Sequence, residues 1–84
     1  IPTLTEERRL EMVRLVNKRV EVARVELRNM RRDSLEELRK MEKAKSISAD
    51  ELKRSTDQLQ KLIDRFIEEA NRVGKQKETE LLES

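Results

Sequence analysis

Six basic side chains in the first half of the chain carry most of the chemistry that its sequence offers. Arg14, Lys18, Arg24, Arg28, Arg31 and Arg32 are spaced so that on a helix they fall within an arc of roughly 140°. Arg28 and Arg32 are four residues apart and stack on one face, with Arg24 one turn earlier. An arginine fork matches the oxygens of a phosphate and gives up its water more readily than a lysine ammonium does. A row of such forks therefore favours phosphate. The local composition points the same way. Residues 8–32 hold nine basic residues, eight of them Arg, against Glu11, Glu21 and Glu26, a net of +6 (9 − 3). Residues 33–84 hold eleven basic and thirteen acidic residues, with four Arg to seven Lys. The whole-chain charge of +2 conceals this segregation. Few acids lie four residues to either side of these arginines, although Glu21 falls inside the arc. The sequence therefore predicts guanidinium groups with little local compensation. The competing explanation is an ordinary solvated helix face.

What the chain lacks narrows the chemistry further. Among its 84 residues there is no His, Cys, Trp or Tyr, and Phe66 is its only aromatic residue. Zinc sites, disulfides and thiol or imidazole catalysis are excluded, and no cofactor is called for. The pairs Glu36-Glu37 and Glu68-Glu69 resemble catalytic carboxylates only on paper, because no element is available to form a cleft around them. The chain is read as a non-enzyme. With no aromatic platform near the arginines, stacking on single-stranded bases is disfavoured. A rigid helix that reads the backbone and shape of folded RNA fits better. No apolar run exceeds two residues, so neither a membrane span nor a signal peptide is expected, and no amphipathic face suits a membrane surface. The start at Ile1 rather than Met suggests a fragment or a processed product.

The elements that hold these side chains follow from punctuation and period. One Gly and one Pro leave little turn material, which argues for an all-α chain. Thr3 or Thr5 caps the first helix, Thr3 having capping-box spacing to Glu6. From about residue 5 to 45 a seam recurs at Val13, Val16, Val20, Ala23, Leu27, Met30, Ser34, Leu38 and Met41, in steps of three and four. Residues 46–48 form a turn, and Ser48 with Glu51 reads as a second capping box. A second helix follows from about 49 to 82. A first rod of roughly 60 Å joined by a short turn to a second long helix makes an antiparallel hairpin, and the whole of 1–84 is read as one helical domain. In the second helix Leu62, Phe66 and Val73 lie along one edge of the apolar arc and Ile63 and Ile67 along the other. This arc is wider than one neighbour needs, so a third helix is expected, either from a removed part of the chain or from a second copy. Phe66 is expected in the core and Met12, Met30 and Met41 along the seam. Asp64 is expected to partner a basic group, Glu36 to pair with Lys40, and Gly74 to loosen the last turns.

Four stretches also match a known pattern in order and spacing. Leu4-Thr5-Glu6-Glu7-Arg8-Arg9 opens the first helix and Arg24-Val25-Glu26-Leu27-Arg28-Asn29-Met30-Arg31-Arg32-Asp33 sits in its middle. Asp57-Gln58-Leu59-Gln60-Lys61-Leu62-Ile63-Asp64-Arg65-Phe66-Ile67 marks the second helix, and Lys77-Glu78-Thr79-Glu80-Leu81 closes it. Over essentially all 84 residues the chain closely resembles the C-terminal part of ribosome recycling factor, with the Arg-Asn-x-Arg-Arg-Asp element the most specific part.

The resemblance implies a long three-helix bundle, of which this chain supplies two helices. The family's first helix and small β-rich domain would precede Ile1. It implies docking on the large ribosomal subunit and its ribosomal RNA. It also implies splitting of the post-termination ribosome together with elongation factor G and GTP, in the cytoplasm or an organelle interior. By the same resemblance Arg28 and Arg31 match RNA-contacting arginines, with Arg24 and Arg32 following. Met30 departs from the β-branched residue usual at its position. The rival reading is a helical-hairpin interaction module, or a trimmed scaffold, that forms a homodimer through its exposed seam.

Overall fold

The computed structural model describes residues 4–83. Within them the chain forms two helices, α1 (Glu6–Lys43) and α2 (Ala49–Glu83), and no strand. They fold back on each other as an antiparallel hairpin measuring 63 × 15 × 15 Å. The register is read from three places where the helices meet: Val20 at Gly74, Arg24 at Asn71 and Arg31 at Gln60. The midpoint of each pair falls within the joint at 44–48, as a simple hairpin requires.

Local chemistry explains both ends of the joint. Thr5 caps α1, its Oγ1 accepting from the Arg8 backbone N–H at 3.1 Å. Thr3 lies outside the described residues. α1 stops at Lys43, two residues short of the expected end. The Ser46 N–H donates to the Met41 carbonyl at 2.8 Å and the Lys45 N–H to the Glu42 carbonyl at 2.9 Å. This is a Schellman closure, with Lys45 in the left-handed region at φ 61° where glycine is usual. α2 opens with the predicted capping box. The Glu51 N–H donates to Ser48 Oγ at 3.0 Å, and Glu51 Oε1 accepts from the Ser48 N–H at 3.1 Å. Hydrogen bonds from Ser48 hold the Glu51 carboxyl below its ordinary value of 4.5, the one from its backbone N–H contributing most.

Packing runs along a single line, and that line drifts from the predicted one. Up to Leu27 the half-buried positions of α1 include Val13, Val16, Val20 and Ala23, as expected. Beyond it they are Arg31, Leu35, Leu38 and Glu42, while Met30, Ser34 and Met41 are exposed. The three exposed residues belong to the adjoining row of the helix, where Met30 and Ser34 border an open groove beside α2. The wide arc of α2 divides in the same manner. Ile63 is buried (5% exposed) and Ile67 half-buried against α1, whereas Leu62, Phe66 and Val73 are exposed. Phe66, at 51%, is not a core residue of this hairpin, and Met30, at 60%, is not seam filler. One neighbouring helix covers only one edge of each arc.

This open edge forms a continuous apolar groove. One cavity of about 460 Å³ runs past Val16, Val20, Ala23, Ala70 and Val73 to Phe66. A second, of about 390 Å³, continues from Phe66 past Leu27, Met30, Leu59 and Leu62.

Gly74 also departs from expectation. α2 continues past it without interruption, and the residue is buried. A Cβ built there would stand 2.5 Å from Val20 Cγ2, so this glycine permits close approach of the two helices instead of loosening the end of one.

Candidate nucleic-acid interface

On α1 the arginine row occupies the flank of the seam opposite the groove. Residues 24, 31 and 38 are one heptad apart and stay on the same edge of a helix that follows a neighbour. Arg24 and Arg31 are therefore drawn against α2 while Arg28 and Arg32 face solvent.

Arg24 is half-buried and fixed from two sides. Its Nη1 donates to Asn71 Oδ1 at 2.6 Å. Its Nε and Nη2 donate to Glu21 Oε2 at 3.0 and 2.6 Å. Arg28 approaches the other oxygen of the same carboxylate, 3.8 Å away. The Glu21 carboxyl is accordingly held below its ordinary value of 4.5, first by the Arg24 hydrogen bond, then by the charges of Arg24 and Arg28. Arg32 donates through Nε and Nη2 to Asp33 Oδ1, both at 3.3 Å, fully in solvent. Arg31 donates from Nη1 to Gln60 Oε1 at 2.9 Å, and its Nε is buried without a partner.

The expectation of little local compensation therefore needs correction. Three of the four arginines have a carboxylate nearby. A test of positions four residues away missed the i,i+3 pair of Glu21 with Arg24, the i,i+7 approach to Arg28 and the adjacent Asp33. The Arg28 and Arg32 pairs are exposed, worth little and readily exchanged for another anion, so these two arginines remain able to meet phosphate. Arg14 and Lys18 extend it as exposed residues.

Two neighbours on α2, Gln60 and Asn71, were not singled out from the sequence as partners of the arginines. The hairpin register, which brings 60 to 31 and 71 to 24, would have located them. Asp64 accepts from Gln60 Nε2 at 2.9 Å rather than from a basic group. Lys40 pairs with Glu37 at 3.6 Å instead of Glu36, the i,i+3 spacing prevailing over i,i+4. Glu69 pairs with Arg72, which lowers the Glu69 carboxyl and raises the Arg72 guanidinium, the hydrogen bond between them being the main cause of both shifts. Among the described residues no cluster of acids is arranged to hold a metal. No helix is long and apolar enough to cross a membrane.

The site is thus an elongated basic edge with two guanidinium groups clasped to the second helix and two in solvent beside exposed carboxylates. Comparison with known proteins bears on what such an edge serves. The family model described as "Ribosome recycling factor" matches residues 1–82. The ribosome-recycling factor of Dehalococcoides mccartyi (strain CBDB1) is 56% identical over 81 residues, 96% of this chain and 44% of the relative. That of Symbiobacterium thermophilum is 49% identical over 83 residues, 99% of this chain and 45% of the relative. That of Bacillus subtilis (strain 168) is 48% identical with the same coverage. The chain therefore spans less than half the length of these curated relatives. With nearly its whole length matched by the family model and about half its residues identical to each relative, the chain belongs to the ribosome recycling factor family.

Proposed function

We propose that the chain docks on ribosomal RNA of the large ribosomal subunit through Arg24, Arg28, Arg31 and Arg32, and that this docking serves the splitting of the post-termination ribosome. One observation carries the reading: the four arginines line one flank of the rod over residues 24–32, and the carboxylates beside three of them are solvent-exposed and easily displaced. A phosphate backbone offers anions along a similar length, and each contact releases counterions. The chain acts by placement, without catalysis. Elongation factor G and GTP hydrolysis by that partner belong to the splitting step. The relatives' greater length leaves room for residues that this step uses.

The test is binding to isolated large subunits over a salt series, comparing the chain with an Arg28→Ala/Arg31→Ala variant. The reading expects steep salt dependence and a slope lowered by about two phosphates in the variant. A slope below about two phosphate equivalents for the unaltered chain contradicts it. A splitting assay with elongation factor G and GTP then asks whether docking leads to disassembly.

A second reading is favoured by the apolar groove. Two copies of the hairpin pair across Leu62, Phe66 and Val73 and bury those exposed side chains. Sedimentation equilibrium showing a dimer, with no affinity for the large subunit, supports self-association over RNA docking.

A further inference from the structure

Arg31 differs from its three neighbours in how it is held. Arg24 and Arg28 share the Glu21 carboxylate and Arg32 has Asp33. Among the described residues, Arg31 has no carboxylate within 4.0 Å. Its Nη1 is nevertheless fixed, donating to Gln60 Oε1 at 2.9 Å, while its Nε is buried without a partner. Gln60 is fixed in turn. Its Nε2 donates to Asp64 Oδ1 at 2.9 Å, one helical turn further along α2. An ionised Asp is acceptor-only, so it must receive the N–H side of the amide. The amide oxygen is thereby turned toward Arg31. An amide oxygen presents a dipole and no net charge, so it orients the guanidinium without neutralising it.

We propose that Gln60 and Asp64 form a relay that positions Arg31 for an RNA phosphate while leaving its full charge available. This rests on the docking reading above. Gln60 is a positioning residue acting through Arg31, and Asp64 acts through Gln60. The choice of an amide at position 60 matters: a carboxylate there could not donate to Asp64 and would set its own charge against that of Arg31.

Gln60 is exposed, so its variants leave the packing intact and separate geometry from charge. Binding to isolated large subunits is measured over a salt series for the unaltered chain, Arg31→Ala, Gln60→Glu and Gln60→Ala. Gln60→Glu is expected to lower the salt slope by about 0.7–0.9, one phosphate. That corresponds to about a tenfold loss at 0.1 M salt, matching Arg31→Ala. Gln60→Ala is expected to weaken binding a few-fold with the slope unchanged, because the charge stays but is no longer held.

Nitrogen-15 NMR of the free protein gives the second readout, independent of the ribosome. Rotation of the Arg31 guanidinium should be hindered in the unaltered chain and released in Gln60→Ala and Asp64→Ala. Free rotation in the unaltered chain, or an unaltered slope in Gln60→Glu, overturns the relay. Loss of binding in Arg31→Ala with both Gln60 variants unaffected overturns the relay while docking stands. Absence of salt-dependent binding by the unaltered chain removes the docking reading and the proposal with it.

Discussion

Replacing Gly74 with alanine sets two effects of known size against each other. Alanine is favoured over glycine inside a helix by about 1 kcal/mol, and α2 is continuous through this position. Against this, the new Cβ would meet Val20 Cγ2 at 2.5 Å, while Val20 Cβ and Cγ1 stand at 3.7 and 3.8 Å, ordinary contacts. Carbon atoms pack at about 3.5–4.0 Å, so roughly 1 Å must be found at one methyl group. Val20 cannot easily supply it, because a β-branched side chain in a helix keeps one preferred rotamer. The helices must separate locally, and overpacking of this kind costs about 1–3 kcal/mol. The net expectation is destabilisation by about 1 kcal/mol, read by chemical or thermal unfolding as a Tm lower by about 4–8 °C for a domain of this size. The sign should reverse in a Val20→Ala background, where the obstructing methyl is gone and the propensity gain remains. Val20 lies one turn before Arg24, so the same separation should lengthen the 2.6 Å Arg24–Asn71 bond and loosen the basic edge. A Gly74→Ala protein that is more stable than the original with Val20 intact refutes the close-approach argument.

Other consequences follow from the joint and the capping groups. Lys45→Gly should stabilise the hairpin by up to about 1 kcal/mol, since Lys45 occupies the left-handed region in which only glycine is free of a Cβ penalty; thermal unfolding reads it. Ser48→Ala should cost about 1 kcal/mol by removing one half of the capping box, with increased amide exchange in the first turn of α2. The Glu51 carboxyl is depressed in the folded state, so its contribution is fully present above its ordinary 4.5 and is lost as pH falls through the lowered folded value. The protection factor of the Ser48 amide, its exchange rate corrected for the intrinsic pH dependence, should fall over that window and stay flat above it. Glu21→Gln should free Arg24 and Arg28 from their shared carboxylate and tighten binding to large subunits; weaker binding would show that Glu21 serves to orient Arg24.

Several features were legible because they depend on neighbours along the chain. The capping box at Ser48 and Glu51 involves residues three apart, and the hairpin follows from two long periodic stretches with one short interruption. The family was carried by contiguous motifs. What could not be read involved the relation of one helix to the other. A seam with steps of three and four fits two adjoining rows of the same helix almost equally, so Met30 and Ser34 were indistinguishable from Arg31 and Leu35 until α2 lay against one row. Gly74 looked like a weakness because its neighbour, Val20, is 54 residues away (74 − 20). The compensation of Arg24 and Arg28 by Glu21 was overlooked because four-residue spacing is only one of the ways a long arginine reaches a carboxylate.

The two flanks of the α1 seam explain why such different side chains sit beside one another. Toward the groove the contacts between helices are apolar and incomplete, with Leu62, Phe66 and Val73 half in solvent. Toward the arginine row they are hydrogen bonds from Arg24 and Arg31 to amide oxygens. Apolar residues on the arginine flank would add burial but give a phosphate nothing to meet, whereas unclasped arginines there would lose more side-chain freedom on binding. Arginine laid across the seam satisfies both demands, because its stem packs against apolar neighbours while its fork stays polar. At position 60 an amide suits the receiving role for the reason argued above: it orients Arg31 and adds no opposing charge. On the proposed docking, α2 supports the basic edge as well as packing against α1, through Gln60 and Asn71 on the helix that carries none of the four arginines.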